Sequence, residues 1–161
     1  MRMILPKTLL AALILLSLSV EGWGAGVGSL SVTATVLSKS NCRFTTTTGA
    51  LNFGGIDSGG AADISATTSL SFRCNGSEAI ATFLISDDDG LNETAIDAYR
   101  MGHTTLAGNF LPYQMSYTPT SSSVPRGAVQ TLAITGTVRS SDYRVALAGA
   151  YSDTVILSIL P

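Results

Sequence analysis

Leu30-Ser31-Val32-Thr33-Ala34-Thr35-Val36 puts Leu30, Val32, Ala34 and Val36 on one parity and the hydroxyl residues Ser31, Thr33 and Thr35 on the other. A strict period of two describes a β-strand with one face toward a core and the other toward water. The alternation returns downstream. From Ile64 to Cys74, residues Ile64, Thr68, Leu70, Phe72 and Cys74 share one parity, and Ser65, Thr67, Ser69, Ser71 and Arg73 share the other. A third run, Ile80 to Ile85, alternates through Ala81, Phe83 and Ile85 and ends at the turn-forming cluster Ser86-Asp87-Asp88-Asp89-Gly90.

Beyond that turn the pattern weakens. Leu91 to Asn109 reads as a connection with one short strand around Tyr99 to Met101. Later strands are expected at Leu111 to Tyr117, ahead of Pro119 and Pro125, and at Val129 to Val138, where Leu132 and Ile134 alternate with Thr131, Ala133 and Thr135. In the last run, Asp153 to Leu160, one parity holds Val155, Leu157 and Ile159 while Ile156 and Leu160 fall on the other. Apolar residues on both parities predict a strand buried on both sides, central or switching between sheets. No amphipathic helical period appears after the N-terminal segment. Six to seven short strands separated by turn residues predict an all-β, immunoglobulin-like sandwich. The chain stops at Pro161, directly after an apolar strand where such sandwiches often add one more, so the expectation is an incomplete sandwich lacking its final strand.

The N-terminus explains the cellular setting. Met1, Arg2 and Lys7 precede an apolar run from Thr8 to Val20, and Glu21, Gly22 and Gly24 end it too early for a membrane span of about 20 residues. Residues 1–24 are therefore expected to be a cleaved secretory signal, with small residues Gly22 and Gly24 before the cut, leaving residues 25–161 as one domain without stable membrane insertion. An exported chain meets oxidising conditions, and its two cysteines, Cys42 and Cys74, are expected to form one disulfide. Closing that loop stabilises the fold by roughly 3 to 4 kcal/mol in the chain-entropy model. Two buried free thiols are the alternative.

Composition narrows function further. With 12% charged residues and a net charge of −2, the chain has no basic patch to attract nucleic acid. Asp87, Asp88 and Asp89 suggest calcium by their oxygens, but the spacing does not fit an EF-hand loop, and a solvated hairpin turn explains them as well. His103 is the single histidine, so neither a histidine metal site nor a serine triad of the usual kind can be assembled. No nucleophile, base and acid stand together. The expectation is a protein that is not an enzyme and carries no cofactor.

Several of these segments resemble the spore coat protein U domain family. They are the alternating strand leading to Cys42, Leu51-Asn52-Phe53-Gly54, Cys74-Asn75-Gly76, Arg100-Met101 leading to Leu111-Pro112-Tyr113, and Gly149-Ala150-Tyr151-Ser152-Asp153-Thr154-Val155 followed by Pro161. The family contains pilins of archaic chaperone/usher pili and a myxobacterial spore coat protein. The resemblance implies an incomplete immunoglobulin-like domain, passed by a periplasmic chaperone to an outer-membrane usher and exported as a cell-surface fibre that supports adhesion or biofilm formation. It implies donor-strand exchange, in which the open groove of one subunit receives the N-terminal segment of its neighbour. It also marks Tyr151, Asp153, Val155, Leu157 and Ile159 as the family's C-terminal strand.

Two assignments of the donor are open: Leu30, Val32, Ala34 and Val36 form it, or that run is the domain's own first strand and the donor centres on Val27. Two other functions compete with a pilus subunit. One is a structural protein of a spore or cell coat built on the same fold; the other, of a different class, is a monomeric secreted ligand-binding sandwich.

Overall fold

The computed structural model describes residues 30–34 and 40–161. They belong to two units, one holding Leu30–Ala34 and the other running from Ser40 to the C-terminus, and each is described by itself. Leu30–Ala34 carries no assigned strand, and Leu30 and Val32 are 87% and 82% exposed.

The larger unit is built from ten strands and one helical turn, in antiparallel sheets. The strands are β1 (Ser40–Phe44), β2 (Ile64–Gly76), β3 (Ile80–Asp87), β4 (Arg100–His103), β5 (Phe110–Pro112), β6 (Gln114–Thr118), β7 (Ser121–Pro125), β8 (Val129–Val138), β9 (Tyr151–Ser152) and β10 (Leu157–Leu160), with α1 at Ser140–Tyr143. One sheet has the order β1-β2-β8-β6, a second β10-β3-β7, and a small third β5-β4-β9. This is the all-β, immunoglobulin-like sandwich that the alternation predicts, with more and shorter strands than the six or seven expected.

Period two explains which face each strand buries. In β2, Leu70, Phe72 and Cys74 are buried while Thr67, Ser69 and Arg73 face water; in β3, Ala81, Phe83 and Ile85 are buried. These residues meet Leu132 and Ile134 of β8 and Val124 of β7 in one core, where the Phe72 and Phe83 rings pack edge to face at 4.8 Å. A second core, at the other end of the sandwich, gathers Tyr99, Leu111, Tyr113, Val138 and Tyr143. Cys42 and Cys74 stand directly opposite each other in the β1–β2 ladder and form the expected disulfide.

Four expectations need correction. The strand expected over Leu30–Val36 is not a strand over its described residues, Leu30–Ala34; Val36 lies outside them, and the strand that bears Cys42 is Ser40–Phe44. The Leu111–Tyr117 run is two strands in different sheets, because the chain crosses between sheets at Tyr113, next to Pro112. The serine run Ser121–Pro125 is a strand despite Pro125, since β7 is an edge strand and needs to donate along one side only. The C-terminal run is not buried on both sides. Only its second half, β10, is a strand, β10 lies at a sheet edge, and Ile156 and Leu160 are 60% and 54% exposed.

Candidate functional site: an open apolar cleft

β10 pairs with β3 along one side, Leu157 opposite Asp87 and Leu160 opposite Leu84, and no described strand pairs with its other side. Beside that free edge the two sheets part. The opening is a cleft of about 600 Å³ with Leu70, Ile134 and Met115 among its lining residues, Tyr151 to Leu157 along one wall, and Phe44 with the irregular segment Thr47 to Phe53 along the other. A second hollow of about 500 Å³ shares Phe53, Met101 and Tyr151 with it, so the groove continues toward the Tyr143–Ala150 region. An apolar groove flanked by unused strand hydrogen-bonding groups suits an extended peptide: the backbone adds to the sheet and alternate side chains enter the groove.

Local chemistry holds each wall. In the Leu51-Asn52-Phe53-Gly54 step, the Asn52 side-chain oxygen accepts a 2.9 Å hydrogen bond from the Gly54 N–H, and Gly54 takes a φ of 68°. The resulting turn sends Leu51 and Phe53 toward β8. They fit because residue 136 is glycine: a Cβ there would lie 2.8 Å from Phe53 Cζ and 3.0 Å from Leu51 Cδ1. On the opposite wall the Tyr113 hydroxyl donates a 2.8 Å bond to Asp153 Oδ2, while Asp153 Oδ1 accepts from the Leu91 N–H at 3.0 Å. Burial and the adjacent Asp153 carboxylate push the Tyr113 phenol well above its ordinary range.

The acidic cluster supports this wall as well. Asp88 Oδ1 accepts the Ile156 N–H at 2.8 Å, just ahead of β10. Asp87 Oδ1 accepts the Tyr99 hydroxyl at 3.0 Å, and Asp89 Oδ1 accepts the Asp97 N–H at 2.8 Å. Three consecutive acids thus act as acceptors that fasten a long connection, beyond the solvated hairpin turn expected of them. Among the described residues, no group of three or more His, Cys, Asp or Glu side chains is arranged to hold a metal. The His103 ring is also structural: Nδ1 accepts from the Thr105 and Leu106 N–H groups at 3.2 and 3.1 Å, and the ring packs edge-on to Tyr151.

Of the residues singled out in the sequence, Tyr151, Asp153, Val155 and Leu157 line the cleft, and Ile159 packs against the main core. Leu30, Val32 and Ala34 are exposed, and Val36 is not described. Sequence reasoning missed Met115 and Tyr113 as cleft residues and Gly136 as the seat of the lining residues Leu51 and Phe53. Tyr113 carried a signal in its place after Pro112, but a glycine in an alternating strand does not reveal which loop will lean on it. Among the described residues, no helix is long and apolar enough to cross a membrane.

A comparison with curated proteins finds no match. A solved structure described as a chaperone–tip adhesin complex vital for synergistic activation of CFA/I fimbriae biogenesis aligns with 76% of this chain, at 12% identity and a TM-score of 0.47. This chain spans 41% of that structure's chain. The family model for the Spore Coat Protein U domain matches residues 27–158. That span takes in both cysteines, both walls of the cleft and the first half of β10, and with it the chain belongs to the Spore Coat Protein U domain family.

Proposed function

We propose that the protein is a structural, non-enzymatic subunit of an archaic chaperone/usher pilus, polymerising by donor-strand exchange. One observation carries the reading: an apolar cleft opens beside the start of β10, whose outer edge is free, in a chain whose leading segment alternates Leu30, Val32 and Ala34 with hydroxyl residues and leaves Leu30 and Val32 exposed. Leu30, Val32, Ala34 and Val36 of one copy fill the cleft of the next. Burying these four side chains contributes on the order of 5 to 9 kcal/mol. Ladder hydrogen bonds add to this, and the entropy of ordering the strand opposes both. Durability then comes from slow unfolding of a sandwich completed across chains.

Residues 1–24 act as the export signal in this reading. A periplasmic chaperone occupies the cleft before assembly, an outer-membrane usher releases the subunit to the surface, and the fibre supports adhesion or biofilm formation. A head-to-tail contact that does not close on itself gives a filament, not a ring.

Replacing Val32 and Val36 by Asp tests the reading. The expected result is a folded subunit that still binds its chaperone and accepts a wild-type donor but no longer donates to a neighbour, seen as loss of denaturant-resistant ladders. If the double variant cannot fold at all, the segment is the domain's own core strand and the donor assignment is wrong.

A further inference from the structure

The larger unit is electrically polarised along its strands. β2 ends and β3 begins at one pole, where Arg43 stands directly opposite Arg73 in the β1–β2 ladder and Arg126 caps the Gly76 and Ser77 carbonyls. Arg43 and Arg73 are both exposed. Like charges placed directly across a ladder destabilise a sheet, so this pair is expected to serve a contact outside the domain. Most described carboxylates lie toward the other pole and outnumber the three arginines there, Arg100, Arg139 and Arg144, of which Arg100 donates to the Asn92 carbonyl. Asp87 ends β3 there, with Asp88 and Asp89 next in the chain, and the exposed loop that bears Glu93 and Asp97 is tied to Asp89 by the Asp97 N–H and to Asp153 by the Leu91 N–H.

The chain path says which poles meet. β10 runs from Leu157, opposite Asp87, toward Leu160, opposite Leu84, and so away from the acidic pole. A strand added antiparallel to it travels toward the acidic pole and leaves the cleft there. Its own domain resumes at Ser40, which sits opposite Gly76 at the arginine pole. The four steps from Val36 to Ser40 span at most about 14 Å. Antiparallel insertion therefore delivers the arginine pole of the donor copy to the acidic pole of the recipient, whereas parallel insertion brings two arginine poles together.

We propose that the Arg43–Arg73 face of each subunit docks against the Glu93–Asp97 loop of a second copy of this chain, and that this attraction orients and speeds donor-strand insertion. The contact rests on the donor-strand reading above. Opposed surface charge raises association rates by roughly 10-fold to 1000-fold at low ionic strength and is screened by salt.

The test follows polymerisation of the purified full chain, after release from its chaperone, by denaturant-resistant ladders at low and high NaCl. The expected result is growth at least about 10-fold slower in high salt. At low salt, Arg43→Glu with Arg73→Glu slows growth by a similar factor, and the neutral pair Arg43→Gln with Arg73→Gln slows it less. Adding Glu93→Lys and Asp97→Asn to the glutamate pair restores growth; Asn is chosen because residue 97 has a φ of 60°, which Asn tolerates. Thermal melts establish that each variant is folded, and the glutamine pair stands alone as the test if the glutamate pair is not. Growth that Val32→Asp abolishes but that ignores salt and all these charges overturns the docking contact and leaves the donor reading standing. Absence of growth in the wild type, or growth indifferent to Val32→Asp, overturns both.

Discussion

Tyr113 and Asp153 face each other across the end of the cleft, the phenol donating at 2.8 Å to Oδ2. Tyr113 stands where the chain crosses from β5 to β6, and Asp153 stands between β9 and β10, so one bond links the crossover to the wall that carries the free edge. Gly90 accommodates the same carboxylate: with a φ of 87°, it presents no Cβ where Asp153 lies.

Tyr113→Phe keeps the ring and its packing against Tyr99, at 5.4 Å between centroids, and removes only the hydroxyl. A hydrogen bond to a charged acceptor contributes about 1.5 to 3 kcal/mol. Asp153 retains the Leu91 N–H, so the expected loss lies near the lower figure. Urea denaturation measures it. Asp153→Ala is expected to cost more, because it strands the Tyr113 hydroxyl and the Leu91 N–H together.

The fold was legible where burial follows a strict alternation. Ile64 to Cys74 and Val129 to Val138 lie adjacent in one sheet, and their parities predict the observed burial. The disulfide followed from export and an even cysteine count, and its ladder position shows why Ser40–Phe44 is a strand: Cys42 is buried and Phe44 partly so, with Asn41 and Arg43 facing outward. The C-terminal run misled for a physical reason. Apolar residues on both parities usually signal burial on both sides, but here the parity holding Ile156 and Leu160 faces solvent at a sheet edge. The cleft was not legible in the alternation. Its floor depends on Gly136 and its wall on the acceptor pattern of Asp88 and Asp153, and neither leaves a periodic trace in sequence.

Alkaline pH is expected to destabilise the fold through three phenols. Tyr117 is pushed up to about 12, by burial first and then by the Asp87 side chain. Tyr99 and Tyr113 are raised further, again by burial first and then by Asp87 and Asp153 respectively. A group whose folded pKa exceeds its unfolded value of about 10 contributes its full stability below that pH and loses it as pH climbs through the folded value. Stability should therefore fall from about pH 10 upward. Phenolate absorbance should show Tyr117 titrating near 12 in the folded protein and all three near the ordinary value in denaturant. A folded-state titration in which every tyrosine ionises near the ordinary value contradicts this account.

Gly136 offers the most direct handle on the groove. Its missing side chain lets Phe53 and Leu51 rest on β8, so Gly136→Val must push the Leu51–Gly54 turn outward or displace the strand. Overpacking of this kind typically costs about 1 to 3 kcal/mol. The turn is held by one short-range bond from Gly54 to Asn52 and belongs to no sheet, so it yields before β8, which is paired on both sides by β2 and β6. The variant is therefore expected to remain folded, with a modestly lowered Tm, and to lose its capacity to accept a synthetic peptide of residues 30–36 far more than its stability. Ala133→Val supplies the control: it lies on the exposed face of the same strand, where a β-branched side chain is neutral or mildly stabilising. Peptide binding measured by fluorescence polarisation, beside thermal melts of both variants, separates the two effects. Equal losses of binding in Gly136→Val and Ala133→Val would show that the Leu51–Phe53 lip has no part in the groove's grip.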